Sequence, residues 1–320
     1  MDDLRLRDLI IRRIPGINSQ ERIRLYKEFD KPEGLFILSK RTIEDILGRE
    51  LSQVSVRMEE LQDQAEGDLR TMRIRGIDCV SFVSPRYPPL LRELYDPPAL
   101  VFYRGILPDP EQVLAAVVGT RRPSSAAVSQ AFDIGKALAG AGIPVVSGLA
   151  LGIDAVAHRG NLEGGAPTVA VLGSSPDEVY PASNRMLARR IVEQGGVILS
   201  EYPPGTGPMK WNFPARNRII AGLARGTVIV EAPASSGALI TAQFALDQGR
   251  DLWVASSGMS STRGDGTRKL ADEGAKVISG AADILGEWGM VSEKELPRDR
   301  ELLSGVKLAS SLARKLNIEL

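Results

Sequence analysis

The sequence predicts an α/β fold, with a mostly parallel sheet covered by helices on both faces and a small helical domain in front of it. Two observations carry that expectation. From Val113 onward, short runs of Val, Ile, Leu and Ala alternate with longer stretches of helical periodicity. Strands that are apolar throughout belong to sheets buried on both faces, and parallel strands need helical crossovers. Before about residue 75, by contrast, charges of both signs interleave with apolar residues at helical spacing.

Taken in order, residues 4–13, 19–29, 41–47 and 52–73 read as helices. Between the first two lies Ile14-Pro15-Gly16-Ile17, followed by Asn18 and, three residues on, Glu21, the pattern of a capping box. Two helices around a Pro-Gly turn make a helix-hairpin-helix/SAM-like unit. Its turn either offers backbone N–H groups to a phosphate or is a plain helical hairpin, and the second reading is the stronger. Residues 1–75 form this domain. Residues 76–112 read as a connector, because Tyr87-Pro88-Pro89 and Tyr95-Asp96-Pro97-Pro98 forbid a long helix. Strands are expected at 113–119, 144–148, 168–173, 197–201, 227–232, 251–256 and 276–279. A helix over 125–141 places Val128, Ala131, Phe132 and Leu138 on one face. Alternation of this kind over 113–285 describes a Rossmann-like core. Residues 286–320 read as a charged linker with one short helix at 306–316.

Composition removes several function classes. Forty Lys and Arg balance forty Asp and Glu, so no global positive field draws the chain to nucleic acid, and any such binding must be local. Cys79 and His158 are the single residues of their kinds, which excludes an intrachain disulfide and argues against a zinc site. The opening MDDLRLRDLI lacks a long apolar stretch, so the expectation is a cytoplasmic chain with no membrane span. No Gly-x-x-x-x-Gly-Lys-Ser/Thr loop, His/Cys cluster or paired carboxylates mark a catalytic or metal centre, and no cofactor is expected.

In an open parallel sheet the ligand lies beyond the carboxyl ends of the strands. The first such loop is Gly119-Thr120-Arg121-Arg122-Pro123-Ser124, where glycine permits a tight turn, Arg121 suits a phosphate, and Ser124 either caps a helix or bonds an anion. The second, Ser147 to Asp154, is a small-residue turn that fails the glycine spacing of the dinucleotide fingerprint. The most informative segment is 205–230. Trp211 and Phe213 run into Arg216, Asn217 and Arg218 at a helix start, a meeting of cations and ring faces that suits phosphates and bases. The two aromatics serve equally as core plugs. Ser236 and Gly237 open a further helix, and the loop at 263–269 adds Arg263, Arg268 and Lys269. Asp154 and His158 share a helix face, where a bracing hydrogen bond is the better reading than a general-base pair. Glu201 and Glu231, at strand ends, either do acid–base work or hold the loop arginines.

The segments GTRRPS (119–124), VVSGLALGIDAVAH (145–158), AVLGSSPDEVYPASN (170–184), LSEYPPGT (199–206), FPARNRIIAG (213–222) and SGALITAQFALDQGR (236–250) resemble, in order, the DNA-processing protein A family, also called Smf. The resemblance implies an extended Rossmann domain that binds single-stranded DNA, dimerises, and helps load the RecA recombinase during natural transformation, without enzymatic turnover. The DNA contacts it implies are Gly119, Thr120, Arg121, Ser124, Ser147, Gly148, Phe213, Arg216, Asn217, Arg218, Ser236, Gly237 and Lys269. Leu151 stands where the family usually has Arg, Ala255-Ser256-Ser257-Gly258 replaces Val-Pro-Gly, and Arg268 stands where Asn is common; Arg268 is the candidate to replace the cation missing at 151. No C-terminal winged helix is recognisable. The alternative from another class is a nucleotide-binding or nucleoside-monophosphate-cleaving Rossmann enzyme, whose Gly-Gly-rich loop has no counterpart near Glu231.

Overall fold

All seven expected strands form, and two more join them. In the computed structural model, which describes residues 2–29, 39–51 and 57–290, the sheet runs β1-β2-β6-β5-β4-β3-β7-β8-β9. The expected strands are β3 (Ala115–Val118), β4 (Val145–Ser147), β5 (Val169–Leu172), β6 (Val197–Ser200), β7 (Gly226–Ile229), β8 (Asp251–Ala255) and β9 (Lys276–Ile278), all parallel to their neighbours within this run. Residues 76–112 supply β1 (Asp78–Ser81) and β2 (Leu100–Gly105), which extend the sheet in antiparallel fashion through β6. The prolines of that stretch bound the short helix α5 (Pro89–Arg92) and the entry to β2 rather than keeping the segment out of the sheet.

Four helices precede the sheet: α1 (Asp2–Arg13), α2 (Ser19–Glu28), α3 (Lys40–Leu47) and α4 (Met58–Arg75). The expected capping box is present at the start of α2, with Asn18 and Glu21 bonded reciprocally. In the Pro-Gly turn, Gly16 has φ 73° and its carbonyl accepts from Arg49 Nη2 at 2.8 Å, while Arg49 also pairs with Glu21. The turn is thus braced from within, as a helical hairpin. Leu9, Ile11, Leu25, Ile43 and Met72 of these helices share one core with Cys79, Leu100 and Phe102 of β1 and β2.

Helices α6 (Ser125–Gly140), α7 (Ile153–Glu163) and α8 (Arg185–Glu193) cover one face of the sheet, and α9 (Asn212–Leu223) and α10 (Gly237–Asp247) the other. The buried face of α6 is Ala127, Ala131, Ile134 and Leu138. Val128 is exposed instead, because the helix lies closely on α7 and small residues fill the contact. Helices α11 (Ser256–Ser260) and α12 (Asp265–Asp272) follow β8. The chain divides into two compact units, Met1–Ala281 and Ala282–Leu320, and the boundary falls after the first residue of α13 (Ala281–Glu287). The helix expected at 306–316 lies outside the described residues, as does the start of the helix expected from 52. No described helix is long and apolar enough to cross a membrane.

Candidate nucleic-acid interface

Strand order reverses at β3, which has β4 on one side and β7 on the other. The crevice beyond the carboxyl ends at such a switch is where open α/β sheets take ligands. A cleft of about 840 Å³ opens there, built from the loop after β3, the turn after β4, the β7–α10 loop and one face of α9. The helices that follow the parallel strands start at this edge, so the free N–H groups of their first turns favour an anion.

Side chains fix the loops. Ser124 caps α6 by accepting from Ala127 N at 3.2 Å, and its hydroxyl donates to Glu231 Oε2 at 2.5 Å. The same carboxylate oxygen accepts from Ser124 N, and the Glu231 carbonyl accepts from Thr120 N at 2.7 Å. Glu231 therefore holds both ends of the Thr120–Ser124 turn from beneath, fully buried, with Oε1 lacking a protein partner. Gly152, at φ 78°, meets this turn so closely that a Cβ would lie 2.4 Å from the Thr120 carbonyl. On the far wall, Ser236 caps α10, and Asn217 Nδ2 donates to the Gly237 carbonyl at 3.2 Å.

Arg121, Arg122, Lys210 and Arg263 line the cleft. Among the described residues, none of the four has a carboxylate at ion-pair distance, whereas Arg218, Arg250, Arg268 and Lys269 all do. Arg263 Nη1 donates to the Arg122 carbonyl at 2.9 Å and so links the loop after β3 to the α11–α12 loop. The Arg121 guanidinium lies 5.9 Å over the Phe213 ring, which is tilted against Tyr180 at 5.6 Å. Cations that are not internally neutralised beside paired ring faces can take phosphates and bases together.

Of the residues expected at the site, Gly119, Thr120, Arg121, Phe213, Arg216, Asn217, Ser236 and Gly237 line the cleft, and Gly148 lines a small recess adjoining it. Their roles differ. Arg216 is 6% exposed, with Nη1 donating to the Gly148 carbonyl at 2.9 Å and to the Val171 carbonyl, and Nε to Asn217 Oδ1 at 3.2 Å. Burial pulls its pKa down to about 10, against the pull of the Asp154 carboxylate. It braces the wall. Gly148 makes room for it, since a Cβ there would lie 2.7 Å from the guanidinium. Ser124 acts as cap and tether, and Ser147 is wholly buried, donating to the Val117 carbonyl at 2.7 Å.

Arg218 and Lys269 stand outside the cleft. Residues 216 and 218 are two apart on α9 and cannot face the same way; Arg218 forms a two-pronged pair with Glu201 at 2.8 and 2.9 Å. Lys269 lies 3.7 Å from Glu273 along α12. Arg268 does not replace the cation missing at 151, because it binds the Met259 and Ser261 carbonyls and braces its own loop. Leu151, exposed, lines the recess. Trp211 is 70% exposed, so it is no core plug, and it does not line the cleft.

His158 is not paired with Asp154. Thr168 Oγ1 donates to the Val145 carbonyl at 2.7 Å and so accepts from His158 Nδ1 at 2.8 Å, while Asp154 accepts from Gly148 N at 3.1 Å. Burial, with Arg216 nearby, pushes the imidazole pKa down to about 3. It is a neutral core group. The cationic and aromatic lining residues not anticipated singly are Lys210 and Tyr180, although both fall within segments already notable in the sequence. Lys210 could have been found from its place two residues before the start of α9.

Comparison with known proteins places these features in a family. The model of DNA recombination-mediator protein A matches residues 78–289. Protein Smf of Synechocystis sp. is 41% identical over 229 residues, 68% of this chain and 57% of the relative, so this chain spans little more than half of that protein's length. The DNA processing protein DprA of Streptococcus pneumoniae is 40% identical over 208 residues, covering 65% of this chain and 73% of the relative. Among solved structures, DprA from S. pneumoniae superposes with a TM-score of 0.71 at 32% identity over 90% of this chain and 98% of its own. DNA processing protein A from Helicobacter pylori, whose structure was described for its single-stranded DNA binding mode, gives 0.58 at 28% identity over 66% and 95%.

Proposed function

This chain belongs to the DNA recombination-mediator protein A family, and on that premise we propose that it binds single-stranded DNA in the cleft and mediates recombination without enzymatic turnover. The observation that carries the reading is the set of four cations that have no carboxylate at ion-pair distance among the described residues, beside the Phe213–Tyr180 pair. Exposed phosphates neutralise such cations, and rings take a base face only when the base is unpaired and free to stack. Contacts come from Arg121, Arg122, Lys210, Arg263, Phe213 and Tyr180, with Gly119, Thr120, Ser236 and Gly237 offering backbone and hydroxyl groups. Arg216, Asn217, Gly148, Ser124 and Ser147 shape the wall behind them.

Absence of turnover is supported by where the acid–base groups lie. Glu201 is engaged by Arg218, Glu231 is buried against Ser124, and His158 is buried and neutral. No cluster of three metal-ligating side chains is found among the described residues. Handing the strand to a RecA-type recombinase and working as a homodimer rest on the family resemblance. Fluorescence anisotropy with an unstructured oligothymidine and a duplex of the same length tests the reading: the single strand is bound more tightly, and equal or preferential binding of the duplex contradicts it.

A further inference from the structure

A second groove, of about 460 Å³, lies where α8 meets the antiparallel part of the sheet. Its floor is apolar, from Val179, Val192 and Ile198, and three arginines, Arg104, Arg185 and Arg189, stand around it. Arg189 is engaged by Glu193 at 2.6 Å, and Asp177, at the groove's edge, is engaged by Arg75. Arg104 and Arg185 have no carboxylate at ion-pair distance among the described residues. Arg104 sits opposite Ile198 in the β2–β6 register, which directs it to the α8 side of the sheet, where it is half-buried. A guanidinium partly withdrawn from water over an apolar floor gains more from an incoming anion than a fully hydrated one.

The groove and the cleft share a wall. Val179 lines the groove, and the next residue, Tyr180, lines the cleft and packs on Phe213. A polyanion leaving the cleft past Tyr180 has only the 176–180 segment to cross before it reaches Arg185 and Arg104. We propose that this groove takes the continuing backbone of the same single strand, one phosphate on each of these two arginines, with bases lying over the apolar floor.

The proposal rests on the cleft binding single-stranded DNA, and strand length separates the two claims. Oligothymidines of about 6 and about 20 nucleotides, within and beyond the site size of a single binding groove, are titrated into the full chain and its Arg104→Ala/Arg185→Ala variant at several salt concentrations. The short strand should bind both proteins alike. For the long strand the variant should bind about tenfold more weakly at low salt, with a salt slope reduced by about 1.4, two contacts at roughly 0.7 each. Arg104→Lys/Arg185→Lys should keep most of the slope, which guards against loss through misfolding. An unchanged long-strand slope overturns the proposal and leaves the cleft standing, as does equal weakening for both lengths. Failure of the unaltered protein to bind either length overturns both. Normal long-strand binding by the alanine variant with loss of polyglutamate binding would assign the groove to an acidic peptide and overturn the proposal.

Discussion

Replacing Arg216 by methionine should act on the fold before it acts on the ligand. The methionine keeps most of the volume and the apolar stem but removes the donors that bind the Gly148 and Val171 carbonyls and the cation that faces Asp154. Hydrogen bonds from a charged group contribute about 1.5 to 3 kcal/mol each, and a buried group left unpaired costs about 1 to 3 kcal/mol. Two such bonds, one to each carbonyl, set the loss at about 3 to 6 kcal/mol, which in a chain of this size lowers the melting midpoint by roughly 10 °C. Arg121→Ala is the contrast. Its side chain is exposed over the Phe213 face, so stability should change by less than about 0.5 kcal/mol, while the salt slope for single-stranded DNA falls by roughly 0.7. Differential scanning calorimetry and anisotropy on the same samples read both quantities. An Arg216→Met protein that melts with the unaltered chain yet loses DNA affinity would refute the assignment of this arginine to the wall.

Glu231→Gln should keep the Ser124 tether and near-normal DNA affinity, whereas Glu231→Ala should loosen the Thr120–Ser124 turn and weaken binding severalfold; equal affinities by anisotropy would show that the clamp does not position the turn. Phe213→Ala should weaken single-strand binding by about 1 to 3 kcal/mol of stacking and Trp211→Ala should leave the melting midpoint within about 1 °C, as expected for surface changes below about 0.5 kcal/mol; a large drop in the second would place Trp211 in the core. Because the His158 pKa is depressed in the folded state, its contribution to stability is complete above the unfolded value of about 6.5 and is lost as pH falls, at about 1.4 kcal/mol per unit, or about 2 kcal/mol by pH 5. Urea unfolding from pH 7 to pH 5 should therefore show a shallower dependence in His158→Gln, and parallel curves would contradict a buried neutral imidazole.

The central parallel strands were legible because β3 to β7 are buried throughout and read as short apolar runs, whereas β8 and β9, which open on exposed Asp251 and Lys276, were marked only by their Val, Ile and Trp residues. Strands β1 and β2 were hidden by their setting. Leu100-Val101-Phe102-Tyr103 is itself an apolar run, buried between β1 and β6, but the prolines on its N-terminal side made the whole stretch look like a connector. The cleft was legible loop by loop, because residues just past each carboxyl end had to converge. Helical phase separated the arginines of α9: Phe213, Arg216, Asn217 and Ile220, spaced three and four apart, share the cleft face, and Arg218 falls outside it. Reading Arg216 as a brace needed the fold itself, since its partners are carbonyls 68 and 45 residues away in sequence.

The measurement that bears most directly on the central claim is the salt dependence of single-strand affinity in the unaltered chain and in the variant with Arg121, Arg122, Lys210 and Arg263 all changed to glutamine. These four side chains have no carboxylate partner at ion-pair distance among the described residues, so the fold does not depend on them for internal neutralisation. If each meets one phosphate, the slope of log affinity against log salt should fall by roughly 3, four contacts at about 0.7 each, with the melting midpoint unchanged. A slope that stays at its original value in a folded variant would contradict the account and place the DNA-binding surface elsewhere on the molecule.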